Sequence, residues 1–226
     1  MKLNSFALHL SAMLFMLCDH LYLTVLPDLP LLRCIGRLAF PLFAFMAVEG
    51  FFHTRSLKKY LLRLLLLAVI SEMPFNLLVA GEVLDPYRQN AVWTIILGLC
   101  CIWALENISA DRQKPLSAVV FTASLVAAIL ACVDYSAAGV LTLLAFYAFR
   151  GSTARCRLLQ LLSLVSVNFV LLGGIEFVFP YQALAVLSLP ITWLCDGTQG
   201  PHNGVIRLAN YMFYPAHMLL LALLVI

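Results

Sequence analysis

Long runs of hydrophobic residues, separated by short turn-rich or charged segments, cover most of the chain. An α-helix needs roughly 20 residues to cross the hydrocarbon core of a bilayer, and most of the runs approach that length. The breaks between them contain proline, glycine or charged residues, which end helices and form turns. The pattern therefore predicts nine membrane-spanning helices, at about residues 3–26, 34–52, 60–79, 90–106, 116–133, 135–149, 157–173, 180–195 and 208–225.

The composition favours the same fold class. Of the 226 residues, 63% are hydrophobic and 11% are charged, whereas a soluble domain has about 25% charged residues. The predicted spans leave no room for a soluble domain, so we expect one all-α, polytopic helical bundle over residues 1–226. The net charge of +3 is too small to indicate nucleic-acid binding. The seven scattered cysteines show no metal-ligand spacing, and we expect neither a metal site nor a disulfide framework.

The positive charges predict the orientation of the bundle. If the N-terminus is inside, the inner segments carry 11 of the 14 Lys and Arg residues, and the outer segments carry Arg33, Arg37 and Arg88. Cytoplasmic loops of membrane proteins are enriched in Lys and Arg in this way. The asymmetry predicts an N-in, C-out topology with an odd number of spans. It also supports the short sixth span, because omitting that span would break the alternation of charged inner segments further along the chain.

Several ionisable side chains lie inside the predicted spans, where a charge costs roughly 2.5–3.5 kcal/mol. Such side chains must face the interior of the bundle and find partners, so they are candidates for function. Counting along each helix places four of them in one layer of the outer half and His217 near the midplane. The outer layer consists of Asp19, His20, Arg37 and Glu72, with Asn76 and Tyr214 as further polar residues in the spans.

A second polar layer is predicted at the inner end of the second span. Glu49 and His53 are four residues apart, so they share one helix face. The densest basic patch of the chain follows directly and contains Arg55, Lys58, Lys59 and Arg63.

The outer layer has the residue types of general-base chemistry. A histidine near a carboxylate is a tunable base at neutral pH. Neighbours on a helix point about 100° apart, so we expect Asp19 to pair with Arg37 while another group orients His20. Arg33 and Arg37 share a face and could hold a carboxylate, a phosphate or an oxyanion. No serine or cysteine nucleophile stands out, which favours direct transfer over a covalent enzyme.

Structural interpretations of the same residues remain open. Arg33 could extend to the outer headgroups, and the basic patch could serve only topology and lipid contact. Glu72 could be a structural partner of Arg37, and His217 could be a satisfied core histidine beside a proline kink. The acid and histidine of the first span could make a helix-packing hydrogen bond.

Several stretches of the sequence resemble the TraX family, in order from the first span to the last. The most specific patterns are Gly36-Arg37-x-x-Phe40-Pro41-x-Phe43 and Ser71-Glu72-x-Pro74-Phe75-Asn76; Asp19-His20, Glu49-Gly50-Phe51, His53-Thr54-Arg55, Gln89-Asn90 and Phe213-Tyr214-Pro215-Ala216-His217 fit as well. The family is named for an acetylase of conjugative pilin and is similar to wider transmembrane acyltransferases. The resemblance implies a multi-pass protein of the bacterial cytoplasmic membrane.

The resemblance also implies a reaction. We expect His20 to be the base, Asp19 its electrostatic support, and Arg37 and Glu72 to belong to the catalytic set. The donor would be acetyl-CoA or another short acyl-CoA, and the acceptor a pilin-like N-terminus, a glycan or a lipid. The expected donor-binding residues are Glu49, His53, Arg55, Lys58, Lys59, Arg63, Asn76, Asn90, Tyr214 and His217. The loop at 195–200 lacks the basic residue that the family often has there, which weakens a nucleotide-contact role for that loop.

Two other classes of function fit the buried ionisable residues. A proton-coupled transporter would also place acids and histidines within the membrane, and it predicts pH-dependent uptake without CoA binding. A non-catalytic assembly factor for surface appendages predicts that substitutions of His20 and Glu72 are tolerated.

Overall fold

The computed structural model describes residues 2–108, 113–172, 180–201 and 203–225. These ranges contain ten α-helices and no strand. A π-helical segment, Ser166–Leu171, extends α8, and a 3₁₀ helix, Pro180–Leu187, leads into α9. The α-helices are α1 Ser5–Thr24, α2 Pro30–Gly36, α3 Ala39–His53, α4 Leu57–Ala80, α5 Ala91–Glu106, α6 Gln113–Leu130, α7 Ser136–Ala148, α8 Ala154–Val165, α9 Ser188–Trp193 and α10 Gly204–Val225.

Within the described ranges, five helical segments are long and apolar enough to cross a bilayer. They are α1, α2 with α3, α4, α8 with its π-helical segment, and α10, while α5, α6 and α7 are shorter apolar helices. The prediction of an all-helical membrane protein is confirmed. The count of nine spans and the N-in orientation stay predictions.

Each predicted run contains a helix, but two runs are interrupted. The second divides after Gly36, and the helix resumes at Ala39. Pro41 explains this break because it has no N–H to donate to the carbonyl of Arg37, four residues earlier, and its ring crowds that carbonyl. The eighth run is half 3₁₀ helix, so it lacks the continuous α-helix that the hydrophobic pattern predicts.

The short helix α7 lies at the centre of the bundle. Eight of its 13 residues are buried, and it packs against α3, α5, α6 and α8. Its neighbours cover it, so a helix of only 13 residues is accommodated at this position without facing lipid over its length.

The N-terminus of α1 is tied to the loop before α10. Leu3 donates its backbone N–H to Leu194 over 2.8 Å, and Ser5 donates to Thr198 over 2.7 Å. Asp196 donates back to Leu3 over 2.9 Å. These bonds bring the first and last long helices together at one end of the bundle, where a cavity opens.

Candidate functional site

Asp19 is a buried carboxylate of α1, 7% exposed, that is held by two arginines of the α2 segment. Arg33 Nη1 donates to Oδ2 over 2.9 Å, and Arg37 Nε donates to Oδ1 over 3.2 Å. Arg37 Nη2 also donates to Oδ2. Gly36 allows this approach, because a Cβ there would lie 2.7 Å from the Cα of Asp19. The predicted pairing of Asp19 with Arg37 is confirmed, and Arg33 joins it.

Two amides extend this cluster. Arg37 Nη1 donates to Gln182 Oε1 over 3.1 Å, and Gln182 Nε2 donates to Asn168 Oδ1 over 2.8 Å. Asn168 lies in the π-helical segment after α8, a distortion that is frequent at functional sites. Neither residue is ionisable, so the pattern of charges in the sequence does not point to them. Their signal was a buried amide within an apolar run.

His20 and His217 form a buried pair between α1 and α10. His20 Nδ1 lies 2.7 Å from His217 Nε2, and His217 Nδ1 lies 2.6 Å from the carbonyl oxygen of Phe213. The two imidazole planes are nearly parallel, at 10°. The sequence placed His217 deeper than His20 and in the donor site, whereas the structure places the two rings side by side. His217 is therefore the side chain that contacts the His20 ring nitrogen.

Glu72 of α4 belongs to a different group of side chains. Its Oε2 accepts from Asn90 Nδ2 over 2.5 Å and from Trp93 Nε1 over 2.8 Å. Arg37 is bonded to Asp19 and Gln182 instead, so the alternative interpretation of Glu72 as a structural partner of Arg37 does not hold. Position along a helix sets the depth of a side chain in the bundle but not its direction around the helix axis, so two side chains predicted at one depth need not meet.

The two asparagines that were predicted to contact the donor lie near Glu72. Asn90 caps α5 and also donates to the carbonyl of Ala68 over 2.9 Å, so its hydrogen-bonding capacity is used within the fold. Asn76, 2% exposed, follows Glu72 by one helical turn. Glu72 Oε1 and Asn76 Oδ1 are buried without a hydrogen-bond partner among the described residues.

A cavity of about 980 Å³ lies among α1, α3, α4 and α10. Its mouth lies at the helix ends where Ser5, Thr54 and Asp196 line it. Its deep end is lined by Met16, Phe40, Ala91, Phe213 and Tyr214. Met16 precedes His20 by one turn of α1, and the Phe213 ring stacks on His217 at 4.6 Å. One cavity thus runs from the helix ends to the neighbourhood of the histidine pair.

Four arginines line the cavity near its mouth: Arg63, Arg150, Arg157 and Arg207. Arg150 is neutralised by Glu49, through bonds of 2.7 Å and 3.0 Å, and these bonds raise the pKa of the Arg150 guanidinium. Within the described part of the chain, the other three make no ion pair. We call Arg63, Arg157 and Arg207 the mouth arginines.

Arg157 is the most constrained of the mouth arginines. Its guanidinium lies 5.5 Å from the centre of the Trp193 ring, and Trp193 is fixed in turn by a 2.8 Å bond to Gln160. Arg157 Nε is buried and has no hydrogen-bond partner among the described residues. Arg157 thus lines the cavity with a guanidinium that is held against an aromatic ring and whose Nε donor is not used within the described residues.

Some of the predicted donor-binding residues line the cavity, and others lie away from it. Those that line the cavity are Glu49, His53, Arg63 and Tyr214. The exposed residues Arg55, Lys58 and Lys59 lie outside the lining. In the sequence, Arg150, Arg157 and Arg207 belong to the inner positive charges that predict the topology, and nothing in the sequence pattern indicates their place in the cavity wall.

Comparison with known proteins covers nearly the whole chain. The family model described as "TraX protein" matches residues 6–225. A curated relative is the "Probable fimbrial assembly protein FimC, serogroup H1" of Dichelobacter nodosus, 30% identical over 234 residues, with 96% of this chain and 94% of the relative covered. No solved structure matches the chain significantly. The matched region includes the Asp19 cluster, the histidine pair and the cavity.

Proposed function

The chain belongs to the TraX family, and we propose that it is a membrane-embedded acyltransferase. It moves an acetyl or other short acyl group from acyl-CoA to an amine or hydroxyl acceptor. The observation that carries the proposal is the single cavity that joins the mouth arginines to the neighbourhood of His20 and His217.

The cavity suits an acyl-CoA in both charge and shape. The mouth arginines offer charge-assisted hydrogen bonds to the phosphates of the nucleotide. Apolar and aromatic side chains line the deeper part, as a pantetheine arm requires. Ser5 and Met16 are separated by about 17 Å along α1, a distance that an extended pantetheine arm can cover. If the predicted N-in orientation holds, the mouth faces the cytoplasm, where acyl-CoA is available.

In the proposed reaction, His20 acts as the general base. It takes the proton of the acceptor amine or hydroxyl while the acceptor nitrogen or oxygen attacks the thioester carbonyl. The new bond to the acyl carbon forms, the carbon–sulfur bond breaks, and the CoA thiolate takes the proton from His20. Arg33 commits only Nη1 to Asp19 among the described residues, so its other N–H groups can stabilise the oxyanion.

Asp19 supports this chemistry through the arginines. Both of its oxygens accept hydrogen bonds from Arg33 and Arg37, so it fixes the position of two cations next to the base on α1. A buried cation without a counter-charge is costly. Asp19 therefore makes the positively charged part of the site stable.

The relative from Dichelobacter nodosus favours a second function, assembly of a surface appendage without chemistry. That relative is named as a probable fimbrial assembly protein, and the match covers 94% of its length. The two functions are compatible when the acceptor is a subunit of the appendage. They separate when His20 is removed, because an assembly factor keeps its function without a base.

Label transfer tests the proposal. Purified protein in detergent is incubated with radiolabelled acetyl-CoA and with a protein, glycan and lipid extract from a strain that lacks the gene. We expect label to enter one acceptor fraction and free CoA to appear in equal amount. Protein that binds no acetyl-CoA and transfers no label, while it restores appendage assembly in cells, would establish the non-catalytic function.

Two matched triple variants test the donor site. R63Q/R157Q/R207Q removes the mouth arginines, and R55Q/K58Q/K59Q removes three nearby charges outside the cavity lining. Hydrogen bonds to charged groups contribute about 1.5–3 kcal/mol each, so we expect the first variant to raise the Kd for acetyl-CoA at least about tenfold. The second should leave the Kd unchanged. Equal weakening by both variants would show a general charge effect instead of a site at the mouth.

A further inference from the structure

We infer that His217 is a positioning residue that holds His20 in the tautomer with its proton on Nδ1, and so leaves Nε2 as the basic nitrogen. The catalytic part of this inference rests on the proposed function. The part that concerns the tautomer rests on the geometry of the pair alone.

The direction of the hydrogen bonds follows from the last group in the chain of bonds. The carbonyl of Phe213 can only accept, so His217 Nδ1, 2.6 Å away, carries a proton and donates it. In the neutral ring, His217 Nε2 is then an acceptor. His20 Nδ1, 2.7 Å from that nitrogen, must therefore carry the donated proton. Nε2 of the neutral His20 has only a lone pair, as a general base requires.

Packing prevents the rings from changing these roles. The His217 ring packs against two other rings, those of His20 and Phe213, with centroid separations of 4.9 Å and 4.6 Å and interplanar angles of 10° and 18°. His20 and His217 are 9% and 7% exposed. In the other tautomer of His20, two lone pairs would face each other at 2.7 Å in a buried site. A buried polar group without its hydrogen bond is destabilising, so the tautomer with the proton on Nδ1 is favoured.

Asp19 cannot perform this function although it is adjacent in sequence. Its two oxygens are occupied by Arg33 and Arg37. In catalytic triads a carboxylate holds the histidine tautomer and stabilises the imidazolium. Here a second histidine takes that position. When His20 Nε2 accepts a proton, the bond from Nδ1 to His217 becomes charge-assisted and stronger.

Nitrogen NMR of histidine-labelled protein in detergent tests the tautomer without any substrate. The signals of His20 are assigned by their loss in H20Q. We expect His20 to be protonated at Nδ1 and bare at Nε2 in the wild type and in H217Q, where the glutamine oxygen can still accept. In H217L we expect a mixture of tautomers. A proton on Nε2 in the wild type, or an unchanged His20 in H217L, would overturn the inference.

Kinetics test whether the contact of His217 with His20 matters for catalysis. General-base catalysis contributes about 10²–10⁴-fold, and H217L keeps the base but leaves only part of the His20 population with a bare Nε2, so we expect H217L to lower kcat for acetyl transfer by less than this, on the order of tenfold. The KM for acetyl-CoA should hold, because His217 does not line the cavity. H217Q should recover most of kcat, and M218L, a change of the buried neighbour, should have little effect.

The two experiments separate two kinds of failure. If the wild type transfers no acetyl group, the proposed function fails, and the NMR result still decides the tautomer. If the wild type is active and H217L is equally active with a folded, monodisperse protein, His217 does not position the base.

Discussion

Asp19 and Glu72 are two acids that the sequence assigns to one layer of the bundle, and their surroundings differ. Asp19 is bonded to two guanidinium groups. Glu72 is bonded to the amide of Asn90 and the indole of Trp93, and one of its oxygens has no partner in the described part of the chain. Asp19 thus acts as a counter-ion, whereas Glu72 acts as a hydrogen-bond acceptor. We therefore expect the charge of Asp19 to be essential and the charge of Glu72 to be dispensable.

The largest effect on stability should come from D19N. The asparagine fits the same space but leaves Arg33 and Arg37 without a counter-charge, and removing one partner of a buried ion pair costs about 3–5 kcal/mol. We expect a clear drop in the apparent melting temperature in detergent. An unchanged melting temperature would mean that the arginines reach water or another anion.

A smaller loss should follow from G36A, which disturbs the Asp19 cluster without altering any of its charges. A Cβ at position 36 meets the backbone of Asp19, which cannot move as a side-chain tip can. Overpacking of this kind costs about 1–3 kcal/mol. The control is G204A, where a Cβ meets open space. Equal melting temperatures for the two variants would show that α2 can shift away from α1 freely.

The smallest effect should come from E72Q. The glutamine oxygen can still accept from Asn90 and Trp93, so we expect the stability to change by less than about 1 kcal/mol. E72L removes that acceptor and should cost about 1–3 kcal/mol. A loss of transfer activity in E72Q with retained stability would contradict the comparison, and it would restore Glu72 to the catalytic set that the sequence predicts.

The sequence predicts the helices well because apolar runs report membrane helices directly. It also predicts the bond between Asp19 and Arg37, since these residues are close in the chain and have few partners to choose from. The break before α3 was missed, although Pro41 signals it. The hydrophobic pattern averages over such local features.

The partners of the other buried polar residues could not be predicted in the same way. His20 and His217 lie 197 positions apart, so their contact depends on the packing of α1 on α10. The choice of Asn90 and Trp93 by Glu72 depends on how α4 is rotated against α5. Arg157 enters the cavity wall because Trp193 of α9 supports it. Helix rotation and helix adjacency are properties of the assembled bundle that one sequence does not contain.

The most direct test of the account is the rate of acetyl transfer by purified H20Q. The wild type and H20Q are each incubated with radiolabelled acetyl-CoA and the same acceptor extract. Their melting temperatures and their Kd for acetyl-CoA are measured first, to check that both are folded and bind the donor. We predict that H20Q binds the donor normally and transfers it at least about a hundredfold more slowly. Transfer by H20Q at the wild-type rate would contradict the assignment of His20 as the base.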